Sequence, residues 1–254
     1  MVHNLLAANR MRSHLFLVAF TMVGLFTAAC VSRTPGAQPH DLSAAQHATM
    51  AANEETSAQL HSAQFNPDAA VREERCRGGR TNLCWTSVMN PTTAHREEAK
   101  NHERMAADHR AGSRALRDAE ASACVGLAEE DRDTSPFERR EDIAGVEPLT
   151  ATSPTLPYAT YGTVQVTRTE GAVITFRAVP GMTAPWLQRI VDCHLARNAA
   201  LGHYVPEMPN CPLVPKDATA KVTATDAGFA VAVRSDKPDM AKEILRRSLA
   251  LVAR

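Results

Sequence analysis

Three histidines stand seven residues apart in the stretch HREEAKNHERMAADH: His95, His102 and His109. Imidazole nitrogens are common ligands of zinc and copper. Seven residues turn an α-helix through about 700°, so the three side chains lie on one face. Successive histidines are then about 10.5 Å apart along the axis, which is too far for two of them to bind one ion directly. Glu98 and Met105 lie between them on the same face, so the stretch is a ladder of candidate metal ligands.

An earlier segment carries the same spacing. His47, Glu54 and His61 are also seven residues apart, and Met50 lies between the first two. If the two segments are the helices of one hairpin, their faces can meet. Histidine with methionine suits copper, and histidine with glutamate suits zinc. The pattern raises the hypothesis that copper or zinc binds between the helices, through His47, Met50, Glu54, His61, His95, Glu98, His102, Met105 and His109.

Two other interpretations of the histidine spacing stay open. A heptad position can hold histidine as a partly buried packing residue, and glutamate and methionine are ordinary helix formers. Histidine also titrates near pH 6.5, so the same face could be a pH-sensitive interface. Spacing alone does not choose between packing, metal binding and titration.

The first thirty residues have the features of an export signal. Arg10 and Arg12 precede an apolar run of 15 residues, from Leu15 to Ala29. A membrane-spanning helix needs roughly 20 residues, so this run is short for a bilayer. A basic start, a short apolar run and small residues at its end are typical of a secretory signal peptide. We therefore predict a signal peptide over residues 1–29.

The end of this segment, Ala28-Ala29-Cys30, resembles the lipobox of bacterial lipoproteins, with Thr27 where that class usually has leucine. The resemblance implies that Cys30 becomes a lipidated N-terminus carrying acyl chains such as palmitate. In that class, a residue other than aspartate after the cysteine implies the outer membrane, and Val31 stands there. The expected location is therefore the outer membrane, lipid-anchored and facing the periplasm. The alternatives are an ordinary cleaved signal, with Thr27-Ala28-Ala29 as the cleavage site, and an uncleaved anchor.

Export changes what the remaining cysteines can do, because an oxidising compartment favours disulfides. Five cysteines follow Cys30, and an odd number leaves at least one outside an intramolecular pair. We expect Cys76 to pair with Cys84 and close a loop over residues 65–92. We expect Cys193 to pair with Cys211, and the alternatives are a soft-metal site with His194, His203 and Met208 or a catalytic cysteine. The sequence does not fix the fate of the fifth, Cys124.

Composition and motifs restrict the class of function. The formal net charge is zero, and no basic cluster marks a nucleic-acid surface. The sequence contains no GxSxG, phosphate-loop, HExxH or GxGxxG motif. We therefore predict a protein that is not an enzyme. The expected partners are the membrane, through the lipid anchor, and either a second copy or another envelope protein.

Residues 30–130 are expected to form a tether and then a helical hairpin. The stretch 30–42 contains two prolines and predicts a flexible tether. Ser43 with Gln46 forms a candidate capping box at the start of the first helix. The hairpin is predicted over 43–130, including the cysteine-containing loop. The stretch 131–162 is rich in charge, proline and threonine and predicts an irregular linker.

Residues 163–254 have a different pattern. Alternating residues predict strands over 163–168 and 172–178, with a turn at Glu170–Gly171 and a helix after Thr183. The stretch VTRTEGAVITFR is answered by VTATDAGFAVAVR and another helix about 56 residues later, so a ββα unit occurs twice. Two such units make a ββαββα two-layer sandwich. The predicted fold class is α+β, with an N-terminal helical hairpin and this C-terminal domain.

Overall fold

The computed structural model describes residues 34–78, 83–155 and 164–253. The predicted signal peptide and the predicted lipidation site Cys30 lie outside these ranges. Among the helices in these ranges, none combines the length and the apolar character that crossing a bilayer requires.

Two long helices form the predicted helical hairpin: α1 (Ala44–Gln64) and α2 (Thr93–Ala123). The capping box at the start of α1 is present. The Gln46 amide donates to Ser43 Oγ at 3.1 Å, and the Ser43 amide donates to the Gln46 side chain at 2.9 Å. The buried positions of both helices are mostly small, and a small side chain lets two helices approach closely. These residues are Ala44, Ala51, Ala58, Ala99 and Ala106.

The segment between the two helices is a β-hairpin, where a cysteine-closed loop was predicted. Strands β1 (Val71–Arg77) and β2 (Leu83–Met89) pair in antiparallel fashion, with Cys76 directly opposite Cys84. These two cysteines form a disulfide, as predicted. Almost all described residues of β1 and β2 are exposed, so this β-hairpin adds little to any core.

Residues 34–42 pack on the helical hairpin, whereas the sequence predicted a flexible tether. We call them the strap. The Thr34 hydroxyl donates to Asp108 Oδ2 on α2 at 2.5 Å, and Thr34 is buried. Pro39–Asp41 forms one turn of 3-10 helix. The prediction missed this ordered packing because its contacts with α2 join residues that are far apart along the chain.

The predicted linker 131–162 contains regular structure. A short helix α3 (Glu129–Asp133) and a 3-10 turn (Arg140–Asp142) lead into strand β3 (Ile143–Thr155). Strand β3 lies at the edge of a four-stranded sheet. Prolines suggested irregular structure here, but an edge strand tolerates proline because one side of it needs no backbone donor.

The two strands predicted over 163–178 are one long strand, β4 (Val164–Arg177). The predicted turn at Glu170–Gly171 is a bulge. Leu149 of β3 faces Gly171 and Thr150 faces Thr169, which leaves Glu170 as the extra residue. Gly171 has φ of 150° and its Cα lies against the β6 backbone, so a side chain has no room there.

The rest of the domain follows the predicted order. Helix α4 (Ala184–Ala200), strands β5 (Thr219–Thr225) and β6 (Gly228–Arg234), and helix α5 (Pro238–Val252) complete a ββαββα unit. The sheet is antiparallel in the order β3-β4-β6-β5. One core joins the sheet to both helices, through Ile174, Phe176, Val231, Val233, Leu187, Val191, Ile244 and Leu251. The predicted α+β class is confirmed.

Candidate functional site

The two histidine faces meet across the helical hairpin. Because α1 and α2 run in opposite directions, each step of seven along α1 matches a step of seven back along α2. The structure pairs His47 with His109, Glu54 with His102, and His61 with His95. We call these pairs the inner, middle and outer rungs of the ladder.

The inner rung is a buried pair of imidazoles. The Nδ1 atoms of His47 and His109 are 3.1 Å apart. His47 Nε2 lies 3.1 Å from the carbonyl oxygen of Gln38 and 3.3 Å from that of Pro39. A carbonyl only accepts, so His47 Nε2 carries the proton and its Nδ1 offers a lone pair. In the neutral pair, His109 Nδ1 therefore donates to His47 Nδ1, and the inner rung is closed by its own hydrogen bonds.

Gly112 makes room for this arrangement on α2. A Cβ at this position would lie 3.0 Å from the Ala37 carbonyl oxygen and 3.0 Å from His47 Cε1. The strap and the His47 ring both occupy the space that a side chain would take. Burial, followed by the neighbouring His47, lowers the pKa of His109, which favours the neutral pair.

The middle rung joins a carboxylate to an imidazole. His102 Nδ1 lies 2.6 Å from Glu54 Oε2, and both side chains are mostly shielded from solvent. Since a carboxylate accepts, His102 Nδ1 carries the proton in this contact. A hydrogen bond of this length and type is charge-assisted and orients the His102 ring.

The outer rung lies next to the middle one. The Nδ1 atoms of His61 and His95 are 3.3 Å apart. The His61 ring stacks on both neighbours of α2, with centroids 5.6 Å from His95 and 5.4 Å from His102. Four candidate ligands therefore form one connected group, which we call the outer cluster: Glu54, His61, His95 and His102.

Three of the predicted ligands stand apart from the rungs. Met50 and Glu98 are exposed to solvent. Met105 is partly buried, and in the part of the chain that the structure describes no hydrogen bond or ring contact joins it to a rung residue. Their side chains follow the correct helical spacing, but i and i+3 neighbours lie beside the seam rather than in it.

The described residues hold one group of three potential ligands within 4.8 Å of one another, Glu74, Cys76 and Cys84. Its two sulfurs are joined in a disulfide, so they are not thiolate ligands. The ladder residues come together as pairs, and the outer cluster brings two of these pairs side by side.

The second disulfide joins Cys124 to Cys193, and the predicted Cys193–Cys211 pair is wrong. Cys124 caps the end of α2, where that helix meets α4. Cys211 is a buried thiol near Ser135 Oγ, at 3.5 Å, and burial raises its pKa. Proximity in sequence favoured Cys211, but the packing of α2 on α4 places Cys124 at Cys193.

Sequence reasoning also missed the strap carbonyls of Gln38 and Pro39, which fix the His47 tautomer. Backbone carbonyls carry no residue-specific signal. The only hint was Ser43, which places the start of α1 and therefore brings the preceding residues near His47.

No family model, no curated protein and no solved structure matches this chain. The fold and the site define an α+β protein whose helical hairpin, joined to α4 by the Cys124–Cys193 disulfide, holds a ladder of histidines and one glutamate. Its function has to be inferred from the chemistry of that ladder.

Proposed function

We propose that the helical hairpin binds a zinc ion through the outer cluster, Glu54, His61, His95 and His102. The observation that carries the proposal is the approach of His61 to His95 at 3.3 Å between Nδ1 atoms. Two ligands at zinc–nitrogen distances of about 2.0–2.1 Å and a tetrahedral angle are about 3.3 Å apart. The outer rung thus has the spacing of one edge of a tetrahedral site.

The neighbouring middle rung supplies the remaining ligands. His102 stacks on His61 at 5.4 Å and contacts Glu54. Rotation of these side chains toward the outer rung, which breaks the His102–Glu54 hydrogen bond, would complete a set of three imidazoles and one carboxylate. Zinc requires no particular geometry from its d electrons, so it accepts such a set readily.

The ligand types favour zinc over copper. The sequence offered methionine as a soft ligand, but Met50 is exposed and the rungs contain only nitrogen and oxygen donors. Monovalent copper prefers thiolate and thioether sulfur, whereas imidazole with carboxylate suits zinc. Divalent copper remains the competitor, and it would distort the set toward a planar arrangement.

The compartment is part of the proposal. Two disulfides in the described residues agree with an oxidising environment. We place the protein at the periplasmic face of the outer membrane, anchored through Cys30, and acting by binding rather than by catalysis. Metabolic labelling with palmitate tests the anchor: we expect label on the parent chain that is lost in Cys30→Ser, and an unlabelled parent chain would contradict the anchor.

Zinc titration of residues 31–254 tests the metal site. We expect one zinc ion per chain, and at least 10-fold weaker binding in His61→Ala and in His95→Ala, because each removes one edge ligand. His40→Ala is the matched control, since His40 is an exposed histidine outside the ladder. Sub-stoichiometric zinc, or equal affinity in the ladder variants and the control, would overturn the proposal.

The inner rung favours a second candidate, a structural or protein-interaction module without metal. His47 and His109 satisfy each other and the strap, which is packing rather than ligand binding. The Cys124–Cys193 disulfide at the end of α2 and the Cys76–Cys84 disulfide in the β1–β2 hairpin would then stabilise a docking element. A dimer that persists in the presence of a chelator, with no zinc bound, would favour this function.

A further inference from the structure

Large apolar side chains are exposed on the β1–β2 hairpin. Val71, Leu83, Trp85, Val88 and Met89 all have more than 40% of their surface exposed. A two-stranded hairpin is at best marginally stable alone, and here the Cys76–Cys84 disulfide holds it in shape. Apolar side chains presented on a fixed scaffold are typical of a surface that docks onto something.

The exposed residues are distributed unequally between the two faces. Successive side chains of a strand point to opposite faces. In the observed register, Arg75 lies opposite Trp85 and Arg77 lies opposite Leu83 on one face. We call these four residues the tip face. The other face of the same half carries Glu74, the disulfide and Thr86.

The tip face combines aromatic, aliphatic and cationic side chains, and no acidic residue lies among its four. Glu73, one step nearer the helices on the same face, pairs with Arg75 at 3.1 Å. Both partners of this ion pair are about half exposed, and such surface pairs contribute little to stability. The tip face is therefore cationic and apolar.

We propose that the tip face docks onto an anionic lipid surface. Tryptophan prefers the boundary between headgroups and acyl chains, and leucine can insert below it. Arginine binds phosphate through paired N–H donors, so Arg75 and Arg77 match the headgroup layer. The combination of tryptophan and leucine with two positively charged arginines favours an anionic lipid surface over a protein as the docking partner. This docking is independent of zinc and does not require Cys30.

Vesicle binding by residues 31–254 tests this docking, because this span lacks both the predicted signal peptide and the predicted lipidation site Cys30. This span contains the whole compact unit Thr34–Arg254. A Trp186→Phe background leaves Trp85 as the only tryptophan. With vesicles of phosphatidylcholine and phosphatidylglycerol, we expect co-sedimentation and a blue shift of Trp85 emission. Pure phosphatidylcholine should bind much more weakly.

The variants compare the two faces of the same hairpin. Leu83→Ser and Trp85→Ala should each weaken binding at least 10-fold, and the latter is measured by co-sedimentation. Arg77→Gln should weaken binding about 5-fold, since one basic residue near an anionic surface contributes about 1 kcal/mol. Val88→Ser is the matched control, because Val88 lies on the other face and is as exposed as Leu83, at 68% against 66%.

Several results would overturn the proposal. These are the absence of binding to anionic vesicles, equal binding to neutral ones, and an equal loss in Val88→Ser. Self-association that disappears in Leu83→Ser, without vesicle binding, would assign the tip face to a second copy instead. Far-UV circular dichroism and a count of one free thiol per chain establish that each variant is folded with both disulfides formed.

Discussion

Three histidines have pKa values that should make the stability of the fold depend on pH. His109, His194 and His203 belong to different elements, and burial is the main cause that lowers the pKa of each. His194 makes contacts through Nε2 with the carbonyl oxygens of Asp131 and Thr134, at 3.2 and 3.0 Å. These contacts raise its pKa, but burial outweighs them. All three groups therefore favour the neutral form in the folded state.

The sign of the pH dependence follows from these shifts. The unfolded chain takes up protons on these histidines near pH 6.5, while the folded chain resists protonation. Stability should be complete above about pH 6.5 and should fall as the pH drops below it. Urea unfolding between pH 7.5 and 5 measures this. The carboxyl of Glu243, whose pKa Arg246 and then Arg247 lower to about 2, responds only below this window.

His203→Asn is the variant that isolates one of these groups. His203 has φ of 60°, a conformation that asparagine tolerates better than most residues. We expect a smaller loss of stability between pH 6.5 and 5 than in the parent chain. In the parent chain, an unfolding midpoint that is constant or rises toward pH 5 would contradict the role of these three histidines.

At the residue scale, the spacing indicated that the two histidine faces could meet, but not which residues pair or how. The seven-residue spacing of His47, Glu54 and His61 matches that of the histidines on α2, so the two faces can lie opposite each other. The tautomer of His47 depends on carbonyls of the strap, and the stacking of His61 depends on the exact offset of the helices. Neither is encoded in the identity of the residue itself.

At the scale of elements, the two disulfides differ in how much they contribute to the free energy of unfolding. Cys124–Cys193 spans 69 positions and joins α2 to α4, whereas Cys76–Cys84 spans 8 positions inside an exposed hairpin. Closing a longer loop removes more entropy from the unfolded chain, about 4 kcal/mol for the first and about 2.5 kcal/mol for the second. The exposed hairpin can open locally, so little of the smaller figure reaches the global transition.

Replacing each cysteine pair by alanine tests this difference. We expect Cys124→Ala with Cys193→Ala to reduce the free energy of unfolding by about 4 kcal/mol, measured by urea denaturation. Cys76→Ala with Cys84→Ala serves as the comparison and should cost well under half of that. Equal losses in the two double variants would show that the β-hairpin unfolds together with the core.

Elements with a regular apolar pattern were predictable, and those shaped by their position in the sheet were not. Helices α4 and α5 and strand β6 carry clear apolar alternation or stripes, and the sequence placed them. Strand β3 has prolines that only its edge position allows. The bulge at Gly171 has the residues of a turn, and only the neighbouring β6 backbone distinguishes the two.

At the scale of the whole molecule, the helical hairpin and the sheet domain are joined more tightly than the sequence indicated. The prediction separated them by a linker, but Thr34–Arg254 forms one compact unit. Helix α2 packs on α4. Arg189 Nη2 donates to the Val125 carbonyl oxygen at 2.5 Å, and Arg197 pairs with Asp133 at 2.6 Å. With Cys124–Cys193, these contacts hold the base of the hairpin against the domain.

This attachment predicts that the hairpin and the domain unfold together. The helical hairpin has mostly alanine in its seam, so it buries little apolar surface of its own and depends on the domain for stability. Calorimetry of residues 31–254 should therefore give one transition, with calorimetric and van't Hoff enthalpies that agree. Zinc should raise the midpoint temperature of this single transition without splitting it, because a ligand that binds only the native state stabilises the whole cooperative unit. Two resolved transitions, with zinc moving only one, would mean that the hairpin folds independently.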